Sequence, residues 1–511
     1  MSELVTRAGM RAAEAEALLA GHSEESLMEE AGLGIAGLVA GLWPGAAGRL
    51  VVYLGKGNNA GDALVAARRL AGEGWRVEAR LAGRRGELGE LAAKHLAVGE
   101  AGGWLRVLDG PARAACGERL LLFDGLLGIG GRGDLRGGLR ELSAEMAALR
   151  ERGGALVVAM DLPSGLDADT GEAGAGAVRA DLTAAVGAVK VGLVADGAED
   201  HVGRIGLVEV VAIPCARHGC GAGEVQVAAG LRRLVGRRAS SLHKGGAGRL
   251  VVLAGGEGME GAGVLAAVGA LRGGAGLVTL VVPEGVRGAV AGRCPAEVMV
   301  RGYGPGEEGR VAGLMEASDA AVVGPGLGRG GEVAALVRRL VGEVAVPMVI
   351  DADGLVALAV GACGRAGAER VVTPHPGEMA QLCGLLGLED GGGGRAAMAQ
   401  RAGALLGGAT VLLKGARTVV AGSGGELGYN STGHPGMATG GSGDVLAGVI
   451  GALMATGLGG YGAACAGAWL CGRAAELALG GMGRLGEEGF AAGDVAGVMG
   501  AAFAAMREGL G

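Results

Sequence analysis

Glycine supplies 112 of the 511 residues, about 22% of the chain against the roughly 7% usual in globular proteins. A residue without Cβ loses more backbone freedom on folding than any other, so this enrichment narrows what the chain can become. A collagen-like rod needs glycine at every third position and abundant proline; here the glycines cluster without that period and only 12 prolines occur. Disorder needs low hydrophobicity and high net charge, whereas apolar residues make up 50% of the chain and charged ones 19%. With 4 Trp, 4 Tyr and 3 Phe, the core has to be Val, Leu and Ala packed against Gly. Close helix-on-sheet contacts suit that composition, and the expected class is α/β.

The length suits two or three domains, and two are expected. The charge sum, 46 minus 53, is −7. Basic residues form only short pairs such as Arg84–Arg85 and Arg237–Arg238, which argues against a nucleic-acid or acidic-lipid partner. Eight cysteines, without CxxC spacing, read as buried small apolar residues in a reducing compartment, so the cytoplasm is expected. Glu3, Arg7, Arg11, Glu14 and Glu16 precede any long apolar run and exclude an ordinary secretory signal. The uncharged stretch Val445–Gly472 exceeds the roughly 20 residues a membrane span needs. Gly457, Gly459, Gly460 and Gly462 divide it, however, and two soluble-core helices are expected.

Apolar strand-like runs alternate with helical ones. In the first half, strands are expected at Leu50–Leu54, Trp75–Leu81, Leu120–Asp124, Ala155–Asp161, Thr183–Val189 and Ile205–Val211, with a helix from Asp62 to Ala71. The boundary is placed in the Cys/His/Gly-rich segment Pro214–Gly223, giving domains 1–219 and 220–511. The same alternation restarts with Arg249–Ala254, Leu277–Val282, Ala320–Gly324, Pro347–Asp351, Arg370–Thr373 and Thr410–Leu413, a parallel or mostly parallel sheet. Gly391–Gly394 reads as a flexible loop.

In the first half, Gly55-Lys56-Gly57-Asn58-Asn59-Ala60-Gly61-Asp62 follows a strand and opens a helix. Its backbone N–H groups suit an anion at a helix N-terminus. The adjacent amides and Asp62 offer oxygens for a hard cation or sugar hydroxyls, against the alternative of an Asx turn with Asp62 as N-cap. Asp124, followed by Gly128–Gly133, and Asp161, followed by Pro163–Gly171, close two more strands. A carboxylate closing a strand is costly unless used, and three such ends on one edge point to a site.

In the second half, Gly436–Asp444 leads directly into an apolar helix. Small residues and helix N-terminal N–H groups suit a phosphoryl group in transfer, with Asp444 placed as base; the alternative is an N-cap aspartate. Further strand ends are Gly324–Gly328, Asp351–Gly354, Thr373–Glu378 and Lys414–Thr418. His375, between prolines, is presented to a substrate rather than to a metal, since no second His is near. Lys414, between Leu413 and Gly415, reads as a phosphate partner.

Residues 5 to 215 resemble the NAD(P)H-hydrate epimerases. That family carries a G-x-G-N-N-G-G-D-G loop, a strand-end Asp before G-T-G, and D-x-P-S-G-L-x-x-D-T-G, the last matched throughout Asp161–Gly171. Ala60 and Ala63 replace two glycines and Ile129 a threonine, and the added methyl groups are expected to crowd a pyrophosphate. The resemblance implies a Rossmann-like three-layer αβα domain in which Asn59, Asp124 and Ser164 hold potassium. It also implies that Asn58, Asn59, Ala60, Gly61 and Asp62, with Gly128, Ile129, Gly130, Gly131, Arg132, Gly133 and Asp134, contact the dinucleotide, and that Asp161 is the acid/base.

Residues 225 to 508 resemble the ribokinase-like superfamily, more narrowly the ADP-dependent NAD(P)H-hydrate dehydratases, through His243-Lys244-Gly245, Gly261-Ala262, Gly324–Gly328, Thr373–Glu378, Lys414–Thr418 and Thr439–Asp444. His434 and Glu257 depart from that family's usual Asn and Ser. This resemblance implies a ribokinase-like αβα domain in which Ala262, Gly326, His375 and Asp444 contact the hydrate. Lys414, Gly415, Ala416, Arg417, Thr418 and Gly443 contact the nucleotide, and magnesium accompanies ADP.

The expected activity is therefore nicotinamide nucleotide repair: epimerisation of R and S hydrates, then ADP-dependent dehydration of the S form to NAD(P)H, AMP and phosphate. Small molecules are the expected partners, the two hydrates and ADP, with no nucleic acid and no membrane. The expected assembly is a homo-oligomer, with a tetramer as candidate. The main alternative is an ATP-dependent small-molecule kinase of the same fold with a non-catalytic dinucleotide-binding module, since fold alone does not separate these. A Rossmann dehydrogenase is disfavoured because Gly55–Asp62 lacks G-x-G-x-x-G spacing.

Overall fold

The computed structural model describes residues 2–43, 45, 47–364, 366–389, 391–480 and 487–509. The chain divides into two compact units. Met1–Val227 forms the body of one, and Ala228–Leu479 with the C-terminal helix Ala492–Glu508 that of the other. The first unit thus runs past residue 219, where the sequence reading ended it.

In the first unit, strands β1 (Arg49–Leu54), β2 (Arg76–Leu81), β3 (Leu105–Val107), β4 (Leu120–Gly125), β5 (Leu156–Met160), β6 (Leu182–Val186) and β7 (Arg204–Val208) form a seven-stranded sheet ordered β3-β2-β1-β4-β5-β6-β7. All neighbours are parallel. Period-two side chains sort along β1: Leu50, Val52 and Leu54 enter one core cluster, Val51 and Tyr53 another, so both faces are covered and the unit has three layers. The strand order reverses between β1 and β4, and a crevice opens at the carboxyl ends there. Helices α1 (Arg7–Leu19), α2 (Glu24–Leu42) and α3 (Asn58–Gly72) pack on the first cluster. Sequence periodicity missed α2, although Ser23 and Ser26 close a reciprocal capping box at its start. It also started α3 four residues late, so Asp62 lies inside the helix and Gly57 is the N-cap.

The second unit repeats the plan. Its strands are β8 (Arg249–Leu253), β9 (Leu277–Pro283), β10 (Val298–Tyr303), β11 (Ala320–Val323), β12 (Met348–Ile350), β13 (Arg370–Val372), β14 (Thr410–Leu413), β15 (Val419–Ala421) and β16 (Leu427–Asn430). They are ordered β16-β15-β14-β13-β12-β11-β8-β9-β10. β8 to β14 run parallel, and β15 and β16 add an antiparallel edge. The reversal falls between β8 and β11. Leu250 and Val252 face one core, Val251 and Leu253 the other, again giving αβα layers.

Helices α4 (Glu260–Arg272), α5 (Pro376–Leu386), α6 (Ser442–Ala455) and α7 (Gly460–Ala478) cover this sheet. The glycine excess has its use where α4 meets α6. A Cβ on Gly269 would run into the Val445 carbonyl, and one on Gly448 into the Ala266 carbonyl, so the two backbones touch directly. The uncharged stretch breaks between α6 and α7, and no described helix is long and apolar enough to cross a membrane. Two expectations are corrected. Gly394 is the first residue of helix Gly394–Leu405 rather than loop. Cys116 and Cys220 are exposed rather than buried, Cys116 in a surface turn and Cys220 with its thiol donating to the Leu4 carbonyl.

Candidate active sites

At the β1/β4 switch point a Cβ on Gly55 would fall on the Leu126 carbonyl, so glycine alone lets the two loops meet. Asn58 is exposed on the first turn of α3, and Asn59 is buried beside it. The Asn59 amide donates to the Leu127 carbonyl at 3.0 Å. Asp124 is fully buried; its Oδ1 accepts from the Ser164 hydroxyl at 2.6 Å and the Leu126 N–H at 3.2 Å, its Oδ2 from the Ser164 N–H at 2.8 Å. Ser164 Oγ accepts in turn from the Leu127 N–H at 2.8 Å. Asn59 and Ser164 thus meet at Leu127, and Asp124 joins them through Ser164. Burial pushes Asp124 up to about 6 against the pull of the Ser164 and Leu126 hydrogen bonds, and no cationic side chain pairs with it among the described residues.

Next to it stands Asp161, in the left-handed region at φ 64°, where non-glycine residues are rare. Its Oδ1 accepts from the Val186 N–H at 2.9 Å and pairs with the Lys190 ammonium. Asp62 on α3 and Glu14 on α1 feel the same carboxylate. Burial first, then Asp161, raises Glu14, and burial, Asp161 and Glu14 raise Asp62 well above the usual range. The loop 128–134 lies alongside: Gly128 against Asn59, Gly131 closing a turn on Gly128, and Arg11 of α1 reaching Gly130. Arg132 is exposed, 3.9 Å from Asp167. Gly133 adopts φ 71°. Asp134 accepts from the Ala175 N–H at 2.8 Å, a structural tie between loops.

Some expected contacts point elsewhere. Ala60 and Ala63 are fully buried in the core cluster under α3, and the Ala63 methyl faces Gly125. Gly61 is pressed against Met28 of α2. Their side-chain positions face protein, so the added methyls do not crowd a ligand loop. Ile129 is half-buried against the same core.

In the second unit, Gly326 abuts Ala262 at the start of α4, and the loops after β8 and β11 join through Gly255 N–H to the Pro325 carbonyl at 2.8 Å. Asp351, at the end of β12, is buried and accepts from Thr373 Oγ1 at 2.7 Å and Lys414 Nζ at 2.8 Å. Lys414 also lies 3.6 Å from Glu378. A Cβ on Gly443 would stand 3.1 Å from Lys414 Nζ, so the N-terminus of α6 rests on this ammonium. Asp444, in the first turn of α6, accepts no hydrogen bond among the described residues. Burial, then Asp351, with Glu378 and Asp353 behind, push it up to about 7 against the opposing pull of Lys414. Lys414 is held above its usual range by Asp351 and Glu378 although burial opposes that.

His375 caps α5. Its Nδ1 accepts from the N–H groups of Gly377 at 3.0 Å and Glu378 at 3.2 Å, while the His375 backbone N–H donates to Glu378 Oε2 at 2.8 Å. Its ring edge stays exposed. Gly415 and Ala416 are exposed, but Arg417 turns inward to the Asn430 carbonyl and Thr418 to the Gly415 carbonyl. Asp351 and Glu378 were seen in the sequence as strand-end residues without a role. Lys190 and Glu14 were missed; a lone Lys inside Ala188–Leu193 was the available signal.

A family model described as NAD(P)H-hydrate dehydratase matches residues 250–486, and one described as YjeF-related protein N-terminus matches 24–192. A bifunctional NAD(P)H-hydrate repair enzyme of Moorella thermoacetica is 37% identical over 477 residues, covering 88% of each chain. One of Gloeobacter violaceus is 39% identical over 466 residues, covering 88% of this chain and 89% of its own. The chain belongs to the bifunctional NAD(P)H-hydrate repair enzymes. Both halves of these enzymes are present, which favours repair over the kinase alternative. The ADP/ATP-dependent NAD(P)H-hydrate dehydratase of Bacillus subtilis, crystallised with ATP and Mg2+, is 27% identical with a TM-score of 0.49, over 56% of this chain and 99% of that one.

Proposed function

We propose that the first unit interconverts the R and S hydrates of NAD(P)H and that the second dehydrates the S form, consuming ADP. The observation that carries the reading is Asp444: a carboxylate that accepts no hydrogen bond among the described residues, raised to about 7, on the first turn of a helix, where backbone N–H groups lack intrahelical partners. A base near neutrality is matched to its task.

Asp444 takes the proton of the C6 hydroxyl as that oxygen bonds to the β-phosphorus of ADP. The bond from that phosphorus to the bridging oxygen breaks and AMP leaves. The ring nitrogen lone pair then expels phosphate from C6, and loss of a C5 proton restores the dihydronicotinamide. The N–H groups of α6 stabilise charge on the transferring phosphoryl group. Lys414, anchored by Asp351, places its positive charge beneath Gly443. Asp351, Glu378 and Asp444 outnumber the Lys414 ammonium between them. That set fits magnesium carried in on ADP, where it would neutralise phosphate charge during transfer.

In the first unit, Asp161 moves the proton that lets C6 of the hydrate, a hemiaminal carbon, lose and regain its substituent with inversion. Asn59, Asp124, Ser164 and the Leu127 carbonyl form an all-oxygen donor set around a buried, uncompensated carboxylate, which fits potassium. The ion would hold the loop against the dinucleotide.

The test is recovery of absorbance at 340 nm from racemic NADH hydrate with potassium, magnesium and ADP. Full recovery is expected from the wild type. Asp444→Ala should lose recovery while keeping epimerisation; loss of both in a folded variant would refute separate sites. No recovery with ADP or ATP would overturn the reading.

A further inference from the structure

We infer that Lys190 is a positioning residue for epimerisation: its ammonium occupies one carboxylate oxygen of Asp161 and leaves the other as the oxygen that carries the proton. The inference rests on the acid/base role of Asp161 proposed above. Lys190 is fully buried, and a buried charge is retained only when paired. Its Nζ donates to Asp161 Oδ1 and, at 2.8 Å, to the Val186 carbonyl, while the Val186 N–H donates to the same Oδ1. Oδ1 is thereby occupied by two donors, and Oδ2 accepts no hydrogen bond among the described residues.

Both partners are pinned by backbone. Asp161 donates its N–H to the Ala184 carbonyl at 2.9 Å and keeps φ 64°, a conformation that persists only where its surroundings impose it. The Lys190 peptide is bracketed by Val5, whose N–H donates to the Val189 carbonyl and whose carbonyl accepts from the Val191 N–H, both at 3.0 Å. The chain segment leading into α1 therefore sets where the ammonium stands.

The charge is needed because Asp161 is otherwise among acids. Glu14 and Arg11 approach from α1, Asp62 from α3, and the Cys215 thiol from the segment after β7; Glu14, Asp62 and Cys215 are all raised by burial and by Asp161, with Lys190 opposing. Without Lys190, Asp161 would face Glu14 and Asp62 with no ammonium at its Oδ1.

The experiment follows interconversion of R and S hydrates by the full chain without ADP, so that dehydration is idle, across pH 5 to 9. Lys190→Met is expected to lower kcat at neutral pH at least about tenfold, leave KM unchanged, and move the acid limb to higher pH. Lys190→Arg, which keeps the charge, keeps the limb in place. Asp161→Asn is expected to be inactive at every pH; retained activity there overturns the acid/base reading itself. A Lys190→Met profile that superimposes on wild type while Asp161→Asn is inactive overturns the positioning role alone. Where Lys190→Met does not fold, Lys190→Gln keeps an N–H donor without charge, and an unmoved limb in that variant is equally decisive against it.

Discussion

Asp444 is held at about 7 rather than the ordinary 3.8 by burial and by the neighbouring Asp351 carboxylate. As the proposed base it would work only when ionised, so dehydration should rise with pH through neutrality and be lost below it. With a midpoint near 7, about one-tenth of the enzyme is competent at pH 6 and about nine-tenths at pH 8, a roughly tenfold difference in kcat/KM. An unperturbed aspartate would be ionised at both and give a ratio near one. Asp351→Asn removes the largest charge contribution and should move the acid limb to lower pH, even though it also frees Lys414. The assay is the initial rate of 340 nm recovery from S hydrate with ADP and magnesium at each pH. A kcat/KM that is flat between pH 6 and 8, or a limb that climbs in Asp351→Asn, would refute the assignment of Asp444 as a base tuned by its acidic neighbours.

Two further outcomes test the first unit. Potassium should raise the thermal unfolding temperature of the full chain, by up to about 2.7 kcal/mol of stabilisation at a hundredfold excess over Kd. Asp124→Asn should abolish that increment, so an equal increment in the variant would dismiss the site. Ala60→Gly and Ala63→Gly restore the glycines of related loops, yet both methyls face the core. Each should cost about 1 kcal/mol in urea denaturation and leave epimerisation unchanged, and a faster variant would contradict their inward orientation.

Much of both sites was legible in the chain because strand-end motifs are local. A run such as Leu50–Leu54 followed by Gly55–Asp62 specifies strand, turn and helix within one stretch of backbone, and parallel sheets bring such ends to one edge. The convergence of Asn59, Asp124 and Ser164 and the juxtaposition of Ala262 with Gly326 follow from that rule. Short and edge elements escaped, because Leu105–Val107 and Val298–Tyr303 owe their pairing to neighbours more than to their own pattern.

What the sequence determined by itself was the α/β class, the alternation of strands and helices in two halves and the motif residues, since apolar periodicity and glycine turns act over a few residues. Only the tertiary structure decided which side chains face ligand and which face protein. Ala60, Gly61 and Arg417 lie inside motifs but turn inward. Lys190 and Glu14, far apart in sequence and outside any motif, close on Asp161. Charge and burial act through space, so the tuning of Asp444 by Asp351 and of Asp62 by Asp161 exists only once the strands are assembled.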